Sequence, residues 1–161
     1  MTVMENKKRL LNIIELLVIA ALAAFLIIML TAGSSREVPM DSIRQHMEAQ
    51  QGIEALLQKS DSAVNSAFGF VPSAYVYYRS DNVMDVSELL IVHTSDDLEM
   101  EKLENAVSGH LETQIDNYTG YGTNQVDLLE HAIMAEKGSY YFFAVGEQAE
   151  EWQDAFLKLI G

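Results

Sequence analysis

The stretch ELLIVHTSDDLE, Glu88 to Glu99, passes from one kind of secondary structure to another within a few residues. Glu88 to Thr94 is apolar and β-branched and reads as a strand. Ser95, Asp96 and Asp97 then open a helix, and Asp96 with Glu99 has the spacing of a capping box with an acidic cap. Leu103, Val107, Leu111 and Ile115 follow at intervals of four, a stripe along one face of that helix. Upstream, AYVYY (Ala74 to Tyr78) reads as a second strand, paired with the first in a hairpin that has a long polar connection.

A second hairpin lies beyond the loop Asn117 to Asn124 and a helical stretch at Val126 to His131. Its strands are Ile133 to Glu136 and Tyr140 to Val145, closed at Lys137 and Gly138. The chain then forms a last helix over Glu147 to Ile160. Ala149, Trp152, Phe156 and Leu159 make its apolar face, and Glu147, Glu150 and Glu151 suit the positive end of its dipole. Before the first hairpin, Pro39 precedes a helix with Asp41 or Ser42 as N-cap, an apolar face of Ile43 and Met47, and Gly52 as its stop. A short helix over Ser60 to Phe68 follows, ended by Gly69. The order ββαββα predicts an α+β domain: a two-layer fold with a four-stranded antiparallel sheet covered on one face by helices.

The N-terminal part is of another kind. Leu16 to Leu30 is unbroken apolar sequence, and extending it back to Leu10 gives 21 residues interrupted by Asn12 and Glu15. At about 1.5 Å per residue this spans about 31 Å, the thickness of a bilayer core. Lys7, Lys8 and Arg9 precede it and only Arg36 follows closely, so the positive-inside rule keeps the N-terminus in the cytoplasm. The predicted organisation is a cytoplasmic N-terminus (1–9), a transmembrane helix (10–30), a linker (31–38) and an extracytoplasmic domain (39–161). The alternative is a signal peptide cleaved after Gly33. Within the helix, Glu15 lies one turn inside the edge, where it snorkels or makes an intramembrane contact. Ala20 and Ala24 form a small-xxx-small pair on the opposite face that permits close helix packing.

Charge and composition exclude several functions. The chain has no cysteine, which removes disulfides, thiolate metal sites and a lipid-modified N-terminal cysteine. From Glu37 onward there are 22 acidic and six basic residues. That balance argues against nucleic acid or anionic lipid as a ligand, since phosphate binding needs clustered cations. The histidines, His46, His93, His110 and His131, stand apart without metal-ligand spacing. Asp96, Asp97, Glu99 and Glu101 lack the glycine and terminal glutamate of a calcium loop and read as helix-capping acids. No nucleophile elbow or phosphate loop is present, so the reading assigns no catalytic residue, no metal and no cofactor. The tyrosines Tyr75, Tyr77, Tyr78, Tyr118, Tyr121, Tyr140 and Tyr141 cluster in strands and one loop. Alternation sends some of them off the covered face, where they form a candidate binding surface.

From about Val38 onward the chain resembles the domain of unknown function 4358 family of exported Gram-positive bacterial proteins. The pattern carrying the resemblance is FGF, AYVYYRS, SELLIVHTSD, YGTNQVDLLEHA, EKGSYYFFAVG and EEWQDAFLKLI. Members often look like lipoproteins, whereas this chain has an apolar helix and no cysteine. The resemblance implies a place beside membrane-bound O-acyltransferases that modify cell-surface polysaccharide. The expected function is a non-enzymatic accessory domain on the outer side of the cytoplasmic membrane, acting through contact with another membrane or cell-envelope protein. The alternative is a small-ligand or glycan-binding module using the tyrosine-rich sheet face.

Overall fold

The computed structural model describes residues 35–161. The apolar segment 10–30, with Glu15, Ala20 and Ala24, lies outside the described residues. No helix among the described residues is long and apolar enough to cross a membrane.

The elements run in the order α1 (Met40–Glu48), a 3-10 turn (Ile53–Ala55), β1 (Leu57–Gln58), α2 (Asp61–Phe68), β2 (Tyr75–Arg79), β3 (Glu88–His93), α3 (Asp97–Tyr118), α4 (Thr123–Glu130), β4 (Ile133–Lys137), β5 (Tyr140–Val145) and α5 (Ala149–Ile160). All strand pairs are antiparallel, in the order β1-β2-β3-β5-β4. Both expected hairpins form, and their second strands, β3 and β5, pair at the centre of the sheet. The class is therefore α+β with an antiparallel sheet, as the periodicities require.

Two expectations are corrected. The sheet has five strands rather than four, because Leu57 and Gln58 pair with Arg79 and Tyr78 at one edge. Two residues are too few to show alternation in sequence. The sheet is also covered on both faces rather than one. Val76, Tyr78, Leu89, Ile91, Tyr140, Phe142 and Ala144 pack with Ile43 and Met47 of α1 and with Trp152, Phe156 and Ile160 of α5. Their neighbours Tyr77, Leu90, Val92, Tyr141, Phe143 and Val145 pack with Val64 and Phe68 of α2, Leu103 and Val107 of α3, and Leu129 of α4. Every residue of β5 is buried, as is all of β3 except His93. Strands buried on both sides read as continuous apolar runs, which is what LLIV and YYFFAV are. The helix after each hairpin thus covers a different face.

Local capping explains the boundaries. Helix α1 starts directly after Pro39, whose fixed φ suits a helix entrance, and not after Asp41 or Ser42. Asp41 lies in the first turn and pairs with Arg44 instead. It is Ala49, not Gly52, that caps the end of α1; Gly52, at φ 90°, leads into the 3-10 turn. Asp96 caps α3 by accepting the Leu98 N–H at 2.9 Å. Glu99 does not complete a capping box. Its carboxylate accepts from the Ser73 N–H at 2.7 Å and the Thr94 hydroxyl at 2.7 Å, tying α3 to the segment that leads into β2. The β4–β5 connection is Gly138-Ser139, with Gly138 at φ 59° where a side chain would be strained and would meet Ser35.

Residues 35–38, at the end of the expected linker, are tied to the domain. The Arg36 N–H donates to the Ile160 carbonyl at 2.7 Å. Glu37 meets His93 at 2.8 Å and accepts from Ser139, and the Val38 N–H donates to the Tyr140 hydroxyl at 2.8 Å. The chain therefore enters the domain at the His93 end of β3. Glu88 marks the other end, about 17 Å away at about 3.4 Å per residue.

Candidate functional site

At that other end the core holds a charge. Glu88 is the first residue of the central strand β3, and its side chain is 0% exposed. Residues 77, 79 and 88 share the sheet face covered by α2 and α3, since Arg79 pairs with Glu88 and Tyr77 with Leu90 in register. An α-helix repeats its face every four residues, so His110 and Gln114 of α3 both reach the carboxylate. His110 Nε2 lies 2.9 and 3.1 Å from the two oxygens. Gln114 Nε2 donates to Oε1 at 3.0 Å, and the Tyr77 hydroxyl donates to Oε2 at 2.7 Å. Arg79 donates to the Gln114 carbonyl oxygen at 3.0 Å, which fixes the amide's orientation.

The electrostatics follow from these contacts. Burial pushes the Glu88 carboxyl up, but the hydrogen bond and charge of His110, the Tyr77 hydrogen bond and the Arg79 charge together outweigh it. The group is held below the ordinary carboxylate range. Tyr77 is pushed the other way, by burial first and then by the Glu88 charge and hydrogen bond, so its hydroxyl stays a donor. The His110 ring packs against Phe68, centroids 4.8 Å apart, and edge-on to Phe143 at 6.2 Å. Those contacts hold the ring in place.

This cluster forms the base of a cleft of about 740 Å³ between α2, α3 and the β2–β3 connection. His110, Gln114, Arg79 and Tyr77 line it, together with Lys59, Phe68, Asn105, Asn117 and the connection residues Ser80 to Val83. Lys59 is paired with Asp81. The connection itself is held by short-range bonds: Asp85 accepts from the Ser87 N–H at 3.0 Å, and Asn82 accepts from the Met84 N–H at 3.0 Å. Tyr118 donates to the Val83 carbonyl, and Gln125 donates to that of Met84 at 2.8 Å. At the rim Val83, Met84 and Tyr121 are 80%, 48% and 66% exposed.

The seven tyrosines do not make a common surface. Tyr78 and Tyr140 face α1 and α5, while Tyr77 and Tyr141 face α3. Helices cover both sets, so the sheet presents no open tyrosine face. Tyr75 is half-buried and donates to Asp61, and its hydroxyl is pushed up to about 12 by burial and by that carboxylate. Tyr78 donates to Glu48 at 2.7 Å. Tyr118 is buried at the cleft, and Tyr121 alone of the seven is exposed.

The four histidines serve four separate places, and among the described residues no three metal-ligating side chains converge. His46 meets the Ala155 carbonyl at 3.2 Å, His93 meets Glu37, and His131 bonds the Asp127 carbonyl at 2.7 Å. Only His110 enters a buried network. Glu88 and Gln114 escaped the sequence reading because 22 and 26 residues separate Glu88 from its helical partners. The available signal was a carboxylate opening a strand that is otherwise apolar.

The fold and cleft define an α+β domain with a sheet buried on both faces and a polar, pre-organised pocket at one end. Over residues 48–146 the sequence matches the family described as Domain of unknown function (DUF4358), and the chain belongs to that family. The matched span contains the whole sheet and cleft, including Glu88, His110 and Gln114, and stops short of α5. No curated protein and no solved structure matches the chain.

Proposed function

We propose that this protein is a binding module, not an enzyme, held by an N-terminal membrane helix on the extracytoplasmic side of the cytoplasmic membrane. It takes up a small polar ligand in the cleft above Glu88. The observation that carries this reading is the buried carboxylate with its three donors at the base of a cleft of small-molecule size. Ligand sites combine such a cavity with a few convergent polar groups. On this reading the module serves a cell-envelope system that modifies surface polysaccharide, the role the family resemblance implies.

A second reading, contact with another membrane or envelope protein, draws on Val83, Met84 and Tyr121, which expose apolar surface beside the cleft. The test is photocrosslinking in native membranes with a photoreactive residue in place of Asn82 at the cleft or Lys158 on α5. Adducts formed through position 82 and not through 158 support the cleft as the binding face. A small-molecule adduct favours the first reading and a protein adduct the second. Equal yields at both positions, or adducts only through 158, would overturn both.

A further inference from the structure

We propose that the cleft takes a neutral, hydroxyl-rich ligand of sugar type, with His110 Nδ1 and the Arg79 guanidinium as its contacts and Glu88 as the residue that positions them. This rests on the binding-module reading and names the ligand class for the same cleft.

The first argument is charge. In the cleft Lys59 is matched by Asp81, and Glu88 by Arg79 and the His110 hydrogen bond. The Asp85 carboxylate is occupied by Ser87. Little charge is left over to attract an ion, and the domain around it is strongly acidic. An anionic ligand would have to enter against that field. A neutral one is not opposed.

The second argument is hydrogen-bond chemistry. His110 gives Nε2 to Glu88, so the ring nitrogen that remains is Nδ1. It takes no hydrogen bond among the described residues, and His110 lines the cleft with a small part of its side chain exposed. A hydroxyl both donates and accepts, so it pairs with Nδ1 whether or not that atom carries a proton. Arg79, which lines the cleft, gives one N–H to Gln114 and lies within reach of the Tyr77 hydroxyl, and its guanidinium carries further donors. The Asn117 amide adds a donor and an acceptor, Asn105, whose Nδ2 already donates to the Glu101 carbonyl at 2.9 Å, adds its oxygen, and the edge of Phe68 lines the cleft. Adjacent hydroxyls on a rigid ring match this alternation of donor and acceptor. Glu88 does not touch the ligand; it fixes which edge of His110 is presented.

The experiment uses the full chain in lipid nanodiscs with ¹⁵N-labelled histidine. The neutral probes are cellobiose and N,N′-diacetylchitobiose, and the acidic probe is digalacturonic acid. Saturable shifts of the His110 Nδ1 resonance with a neutral probe, and none with the acidic one, are expected. Glu88→Gln replaces the carboxylate by a neutral amide with a single acceptor oxygen, so the hydrogen bond at His110 Nε2 changes and the ring's two ¹⁵N signals should move. Arg79→Gln, at the partly exposed end of β2, is the milder variant and should weaken neutral-probe binding about tenfold. Preference for the acidic probe overturns the ligand class while leaving the cleft a binding site. No response to any probe also overturns the class, and the position-82 crosslink then decides separately whether the cleft binds at all. Unmoved His110 ¹⁵N signals in Glu88→Gln remove the positioning role.

Discussion

Replacing Glu88 with leucine removes the acceptor of three donors without opening a large cavity. Tyr77, His110 and Gln114 each lose a partner between 2.7 and 3.0 Å away. A buried polar group left unpaired costs about 1–3 kcal/mol. Here the three costs do not add fully, because His110 and Gln114 line the cleft and water reaches that side. Tyr77, 1% exposed, has no such relief. The expected loss is therefore about 3–5 kcal/mol, as for a broken buried ion pair, against a total of about 5–15 kcal/mol for a small domain. Urea unfolding of the fragment 35–161 measures it, with the single tryptophan, Trp152, as the buried fluorophore. Glu88→Leu combined with His110→Leu should be less costly than the separate losses predict, since the carboxylate and the ring that bonds it leave together. If Glu88→Leu costs less than about 1 kcal/mol, or the pair is strictly additive, the network is not the coupled unit its distances describe.

Other outcomes are open to measurement. Phe156→Ala should cost about 3–5 kcal/mol, because the ring is 1% exposed and stacked on Phe142 with centroids 5.4 Å apart; unchanged stability would remove α5 from the core. Acid should destabilise the domain through Glu88: its folded form stays ionised below the ordinary 4.5, so its contribution is complete above that pH and is lost as pH falls through the lower folded value. Glu88→Gln should flatten that part of a stability–pH curve, and an unaltered curve would refute the assignment. The fragment 35–161 should fold alone, unaffected by a chelator, whereas a fragment beginning at Met40 should melt lower for want of the Arg36, Glu37 and Val38 bonds. A reporter fused after Gly161 should work only outside the cytoplasm, and salt washing should leave the protein with membranes; recovery in the medium with Ser34 first would replace the anchor by a cleaved signal peptide.

The hairpins, the Asp96 cap and the last helix were legible because each is a local pattern. Strand alternation, a capping acid and an i+4 stripe are all written within a dozen residues. What escaped depends on tertiary partners. The second covered face was announced by the unbroken apolar runs of β3 and β5, yet a hairpin-and-helix count alone suggests two layers. Glu99 stands at the capping-box position, and only the approach of Ser73 and Thr94 diverts its carboxylate. The tyrosines were recognisable as residues with polar tips. Which face each takes follows from alternation, but whether that face is open depends on helices far away in sequence. The Glu88 site was the least legible, since nothing local joins a strand's first residue to the fourth and fifth turns of a helix.

The two faces of the sheet divide between packing and polarity. The face under α1 and α5 is filled by Trp152, Phe156, Phe142 and Ile43, and among the described residues no fully buried charged residue lies on it. The face under α2 and α3 holds Glu88 and Gln114, two of the three buried polar residues among those described. A buried carboxylate with its partners is seldom more stable than well-packed apolar residues of the same volume. Packing alone would therefore favour a leucine at 88 and an apolar residue at 110. The cluster stands where the β2–β3 connection leaves a cleft, and its outer members line that cleft. The stretch matched to the family holds this polar side complete and leaves out α5, the helix that closes the apolar side. A double variant that fills positions 88 and 110 with apolar residues should thus cost less than the two single losses together and lose cleft binding. Retained binding in that variant would leave the buried charge without a purpose that the geometry explains.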